Sequence, residues 1–220
     1  MRSSQFRRTV KIVLTLIVFA VLWELACRLF KVPTYLVPKP SDIALRLYDK
    51  RGLYLGQTWV TLYETVAGFL LADLVGIVAA ALVVMIPSLR DIIMPLLLIA
   101  QIVPKVAIAP ILLIWFGYGL VPKILVAFLV AFFPVVVNTA SGLISVEPEL
   151  LDLGRSLEAS RWQTFWKFRI PAALPDLFSG MKIAITLAVI GAVIGEFIGG
   201  NRGLGYLIII ANQELDTPLA

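Results

Sequence analysis

What most constrains this chain is a series of long, nearly uncharged apolar runs. They cover about residues 10–30, 58–86, 92–116, 123–144 and 178–198. A helix rising 1.5 Å per residue needs roughly twenty residues to cross a hydrocarbon core of about 30 Å. In that medium no water reaches the backbone, so each run must pair its own N–H and C=O groups. The expectation is an all-α membrane protein with five spanning helices and no β-sheet. Composition agrees: 60% of the residues are apolar and 15% charged, against about 45–50% and about 25% in a soluble domain.

The charges around these runs set an orientation. Arg2, Arg7 and Arg8 precede the first run, which places the N-terminus in the cytoplasm. A cleaved secretory signal does not fit, because no small-residue cleavage site follows and further spans come later. Residues 31–57 fall outside. They are themselves basic (Lys31, Lys39, Arg46, Lys50, Arg51), which weakens the charge argument. A short helix is expected there over residues 41–48, with Ser41 as N-cap. Pro104 and Pro110 interrupt the third run, which is expected to be kinked or broken. If each span crosses once, the polar stretch 145–175 is cytoplasmic, and its Arg155, Arg161, Lys167 and Arg169 agree. After the fifth span the glycine-rich residues 199–205 make a turn, followed by a short apolar piece at 206–211.

Several function classes drop out. The net charge is +5, but the basic residues are scattered between apolar runs and form no nucleic-acid-binding face. The chain has no His, which removes the commonest metal ligand and general base. Neither a metal site nor a cofactor is expected. Cys27 is the single cysteine and forms no internal disulfide. A membrane-embedded enzyme, one alternative, lacks a reactive Ser or Cys beside a base and lacks paired carboxylates on one helix face. No phosphate-cradling glycine loop with Lys is present, so ATP binding belongs to another chain.

Inside the runs, small residues recur every four positions: Gly68, Ala72, Gly76, Ala80; Gly191, Gly195, Gly199; and Gly180, Ala184, Ala188, Ala192. Such stripes let membrane helices approach closely. Intramembrane charges are costly, about 2.5–3.5 kcal/mol each on insertion scales. Glu64 and Asp73 are nine positions apart and point to opposite sides of one helix. Asp73 and Lys105 are expected to neutralise each other; the alternative is that Lys105 alone lines a wet cavity. Glu196 is expected to reach water at the outer end of its span, with a role in a translocation pathway as the alternative. Gln101 and Asn138 either line that pathway or serve as buried packing partners.

The stretch 145–175 has its own pattern. Leu150, Leu153 and Leu157, then Phe165 and Phe168, form apolar faces at helical spacing. A helix over 149–157, a bend at 158–160 and a helix over 161–168 are expected. Ser160 caps the second helix and Pro171 ends it. The bend is expected to use ordinary dihedrals at Glu158; the alternative is that Glu158 carries a left-handed strain to meet a basic residue on a partner. Periodicity suits both a docking surface and a helix pair lying on lipid headgroups. A passive channel, the other alternative, has no need of a docking module.

This segment resembles the coupling motif of binding-protein-dependent ABC importer permeases, which closes on a Pro-x-x-x-Pro signature, here Pro171 and Pro175. Thr61, Gly68, Gly76, the stretch from Pro104 to Gly117, Phe133-Pro134, Asn138-Thr139, Gly180, Glu196 and Gly203-Leu204-Gly205 also fall in family order. The resemblance covers roughly residues 31–220 and is to the nitrate, sulfonate, taurine and pyrimidine-precursor branch. It implies a single permease domain over residues 1–220, embedded as a multi-pass protein in a bacterial inner membrane. The implied partners are cytoplasmic ABC ATPase subunits, an external or periplasmic substrate-binding protein, a second permease copy as a homodimer, and membrane lipid. It also implies that Asp152, Gly154, Arg155, Ser156, Glu158, Ala159, Ser160, Pro171 and Pro175 couple the chain to the ATPase. Asp73, Gln101, Lys105, Asn138 and Glu196 are the pathway or intramembrane polar candidates. The family's Glu-Ala-Ala triplet falls here on Asp152-Leu153-Gly154, and its bend glycine on Glu158. The family also has a further spanning helix after the position of Pro218, so the chain is expected to be C-terminally truncated.

Overall fold

The structure, a computed structural model, describes residues 2–220, and among them there is no β-strand. The long helices are α1 (Arg2–Leu29), α3 (Arg51–Met85), α6 (Leu120–Ile144) and α9 (Ile170–Gly199). Shorter ones are α2 (Pro40–Asp49), α4 (Pro87–Ile102), α5 (Ala109–Phe116), α7 (Pro148–Ser156), α8 (Arg161–Thr164) and α10 (Leu204–Gln213). Among the described residues four helical stretches are long and apolar enough to cross a membrane, and five if the bent pair 89–116 counts as one. The expected runs are thus recovered, with two extensions. α3 begins at Arg51 rather than near residue 58, and α9 is continuous with the polar stretch before it.

The break in the third run follows from its prolines. Val103 precedes Pro104 and is held extended (φ −61°, ψ 128°), since the proline ring disfavours the helical region there. A 3₁₀ turn over Lys105–Ile108 follows, and the two halves of the run meet at 84°.

The chain forms two compact units. In the unit Trp59–Gly205 the core is the contact of α3, α6 and α9. Ala72, Ala131, Val135, Ala184 and Ala188 are fully buried in one cluster there. The three small-residue stripes are buried, as their spacing predicts. At Gly191 a Cβ would meet the Cα of Ala127 at 2.7 Å, so α9 lies directly on the α6 backbone. Helices this close gain dispersion contacts along their length, the main attraction available where lipid is as apolar as Leu.

The other unit combines residues up to Thr58 with Tyr206–Ala220. Within it Arg46 pairs with Asp216, and the Tyr54 hydroxyl donates to the Leu219 carbonyl at 2.9 Å. Ser41 is not the N-cap of α2. Lys39 holds that position, and Ser41 donates its amide and hydroxyl to Glu24 at 3.1 and 2.9 Å. The helix starts one residue earlier because proline suits its first position, which places Ser41 inside the first turn.

Among the described residues three non-glycine residues have positive φ: Lys31 (48°), Glu158 (52°) and Leu215 (54°). All three stand just past a helix in the same closure. The N–H of Val32, Ala159 and Asp216 reaches back five residues, to the carbonyls of Cys27, Gly154 and Ala211 at 3.1, 2.9 and 2.9 Å. This six-to-one closure requires a left-handed residue at that position whatever its side chain. A non-glycine residue there costs about 1–2 kcal/mol, offset by two bonds of about 1 kcal/mol each.

Candidate functional site

The polar stretch folds as a helix, a bend and a further helix. Pro148 opens α7, whose missing N–H is no loss at that position. Asp152 and Arg155 pair at 2.7 Å, both largely exposed. Gly154 is the buried residue of α7; a Cβ there would meet the Phe168 ring at 3.4 Å, so the two halves of the stretch touch. Ser156, Glu158 and Ser160 are exposed, Ala159 is half-buried and Leu157 is 68% exposed, so the bend presents small and charged groups around one apolar side chain. Glu158 has φ 52°, not the ordinary dihedrals expected, because the closure of α7 demands it.

Ser160 caps α8 as expected and does so in a reciprocal box. Its hydroxyl accepts from the Gln163 amide at 3.2 Å, and the Gln163 side chain accepts from the Ser160 amide at 2.9 Å. The second helix does not stop at Pro171. After Thr164 the backbone widens into a π turn over Phe165–Arg169, and α9 then runs through Pro171 and Pro175 to Gly199. The Ile170 N–H reaches five residues back, to the Phe165 carbonyl. The wider turn relieves the clash of a proline ring with the carbonyl four residues before it, so proline is tolerated. Pro171 and Pro175 are both exposed on this first part of α9. Phe165 anchors the stretch by packing with Leu143 and Ala173, and Arg169 donates to the Leu143 carbonyl at 2.7 Å.

The intramembrane charges are arranged differently from the expectation. Asp73 and Lys105 form no ion pair. Both carboxylate oxygens of Asp73 are buried without a hydrogen-bond partner among the described residues. Lys105 instead donates to the Gln101 carbonyl and lies over the Phe133 ring, 4.7 Å from its centroid. The proline break explains this: Gln101 sits at the end of α4, where carbonyls lack intrahelical donors, and Lys105 is the nearest one. The Gln101 side chain is exposed, while Asn138 is half-buried and donates to the Pro134 carbonyl at 2.8 Å.

Glu196 does not reach water; it is fully buried. It accepts from the Thr61 hydroxyl and from the Gly205 amide, each at 2.6 Å, and Thr61 in turn accepts from the Leu204 amide at 2.8 Å. Together they satisfy the first amides of α10, which a helix N-terminus otherwise leaves unpaired. Gly203 (φ 111°) and Gly205 serve this turn: a Cβ on either would run into the Glu196 carboxylate.

Glu64 is also fully buried, paired to Lys123 at 2.9 Å, and Lys123 donates further to the Arg202 carbonyl at 3.0 Å. Glu196 lies within electrostatic reach of Glu64. Lys123 was missed by sequence reasoning because it stands at the edge of an apolar run, where lysines ordinarily reach out to the headgroups. A usable signal was present: Glu64 stands inside an apolar run, where a charge is costly unless another span supplies a cation.

Comparison with known proteins places this architecture. The profile described as "Binding-protein-dependent transport system inner membrane component" matches residues 73–220. The chain is 37% identical to a "Probable ABC transporter permease protein" of Haemophilus influenzae, over 96% of this chain and 86% of that protein. It is 36% identical to the "Formylaminopyrimidine transport permease protein ThiX" of Halalkalibacterium halodurans, over 90% of this chain and 79% of that one. Its fold is similar to a chain in the inward-facing MetNI methionine ABC transporter, with TM-score 0.61 and 21% identity, covering 73% of this chain and 83% of that chain. This chain therefore belongs to the binding-protein-dependent transport system inner membrane component family.

Proposed function

We propose that the chain is the permease subunit of an ATP-driven importer and that residues 145–175 are its power input. Hydrolysis of ATP belongs to a separate cytoplasmic ATPase, and an external binding protein delivers the solute. The N-terminus and the 145–175 stretch lie on the cytoplasmic side, and two copies of the permease form a homodimer. The observation that carries this reading is the helix–bend–helix itself. It sets small and charged groups (Asp152, Arg155, Ser156, Glu158, Ala159, Ser160) at an exposed bend. Phe165 and Arg169, meanwhile, tie it to the end of α6. A surface rigidly joined to spanning helices transmits a rotation only if its partner binds two states unequally.

The solute is a small one. The formylaminopyrimidine relative supports a pyrimidine vitamin precursor, and the family branch also supports a nitrate-, sulfonate- or taurine-like anion. Asp73, Gln101, Lys105 and Asn138 are the polar groups proposed for the pathway.

The test is reconstitution with the ATPase and binding protein in vesicles. Asp152→Arg, Arg155→Glu and Ala159→Trp should keep the helical content and lower ATP-driven uptake at least about tenfold, equivalent to about 1.4 kcal/mol of lost contact. If all three keep wild-type ATPase binding and uptake, the coupling role is refuted. The solute retained by the binding protein identifies the cargo.

A further inference from the structure

The 145–175 stretch also borders a groove, which takes in Arg155 and Ala159 of the bend and extends beyond them to the end of α3. This depression of about 490 Å³ lies between the C-terminal end of α3 and the helix–bend–helix. Val84, Met85, Leu151, Ala159 and Phe165 give it an apolar wall, and Arg155, Arg161 and Arg169 line the rest with Thr164. Among the described residues no carboxylate lines it. Asp152, outside the lining, neutralises Arg155 at 2.7 Å. Arg169 is fixed by its bond to the Leu143 carbonyl, and Arg90 stands close enough to repel it. Arg161 has no ion pair among the described residues. Guanidiniums gathered this way repel one another until an anion enters.

Depth selects the anion. α3 ends at Met85 and α6 at Ile144, so the groove sits where two spanning helices stop. Phospholipid phosphates lie at that level, just beyond the hydrocarbon. Trp162 and Trp166, 58% and 51% exposed, flank Phe165 with ring centroids 6.3 and 5.9 Å from it. Exposed tryptophans favour the headgroup layer. A groove with an apolar wall beside a cationic one suits a ligand that carries acyl chains and a phosphate together. A water-soluble anion would leave Val84 and Met85 unused.

We propose that this groove binds the headgroup of an anionic phospholipid. Arg161 and Arg169 hold the phosphate, and the acyl chains run along Val84 and Met85. Bound there, the lipid joins the helix–bend–helix to the end of α3.

The test uses the purified full-length chain in mild detergent, read by native mass spectrometry. The probes are dioctanoyl phosphatidylglycerol, dioctanoyl phosphatidylcholine and inorganic phosphate. Phosphatidylglycerol should be retained in preference to phosphatidylcholine. Each arginine removed should weaken it about fivefold, in Arg161→Gln and in the double variant with Arg169→Gln. The Arg161 side chain is exposed and makes no bond among the described residues, so its single variant keeps the test valid if the double variant misfolds. Equal retention of the two lipids, or an unchanged affinity in Arg161→Gln, would overturn the proposal. Competition by phosphate at concentrations matching the lipid would make this a free-anion site. Displacement of the lipid by an added ATPase subunit would make it a protein-docking surface. Either result removes the lipid assignment and leaves the coupling role to be judged by uptake.

Discussion

Lys123 and Glu64 are 2% and 0% exposed, so neither has water to fall back on. Removing one member of such a pair strands the other charge, at a cost of about 3–5 kcal/mol. Lys123→Met should therefore lower thermal stability in detergent by that amount. The double variant Glu64→Gln with Lys123→Met should recover most of the loss, since two neutral groups leave no stranded charge. A double variant no more stable than Lys123→Met would show that the pair contributes through packing alone. Asp73 has no such partner: Lys105, its expected counter-ion, is held by the Gln101 carbonyl at the proline break, and the buried Lys123 serves Glu64 instead.

The elements are governed by caps and by backbone approach. α8 is only four residues long, and its start rests on the Ser160–Gln163 box. Ser160→Ala should cost about 1 kcal/mol, seen as roughly fivefold faster amide exchange at Gln163 with the spanning helices unaffected. Unchanged exchange would mean that Phe165 alone holds the turn. Two glycines inside helices provide a contrast. Gly56 in α3 has nothing within 4 Å of a built Cβ, whereas Gly191 in α9 lies against the α6 backbone. Gly56→Ala should stabilise by up to about 1 kcal/mol through helix propensity. Gly191→Leu should destabilise by about 1–3 kcal/mol or more through overpacking. Denaturation of the two variants side by side checks this, and equal responses would count against a direct α6–α9 contact.

At the scale of the whole molecule, the reading turns on whether the helix–bend–helix is required for transport. Replacing residues 149–159 with a Gly-Ser linker should leave a membrane-inserted chain and abolish ATP-driven uptake in vesicles. A passive channel would still equilibrate its solute after that replacement, because a pore needs no external power. Solute flux through the linker variant in the absence of ATP would favour the channel.

By itself the sequence determined the spans, the break at Pro104, the small-residue faces and the Ser160 cap. Each is local: run length against bilayer thickness, a missing N–H, a four-residue spacing, a hydroxyl three residues from an amide. The Gly203-Leu204-Gly205 turn was legible as a motif, but its purpose was not. Which carboxylate met which donor depended on how the helices packed. Glu196 finds Thr61 across 135 residues and Lys123 finds Glu64 across 59, and no periodicity encodes such distances. The tertiary structure likewise carried α9 through Pro171, because a π turn answers to packing around Phe165 as much as to local propensity. And it set Glu158 left-handed, because a helix closure fixes the backbone at that position and leaves the side chain to bear the strain.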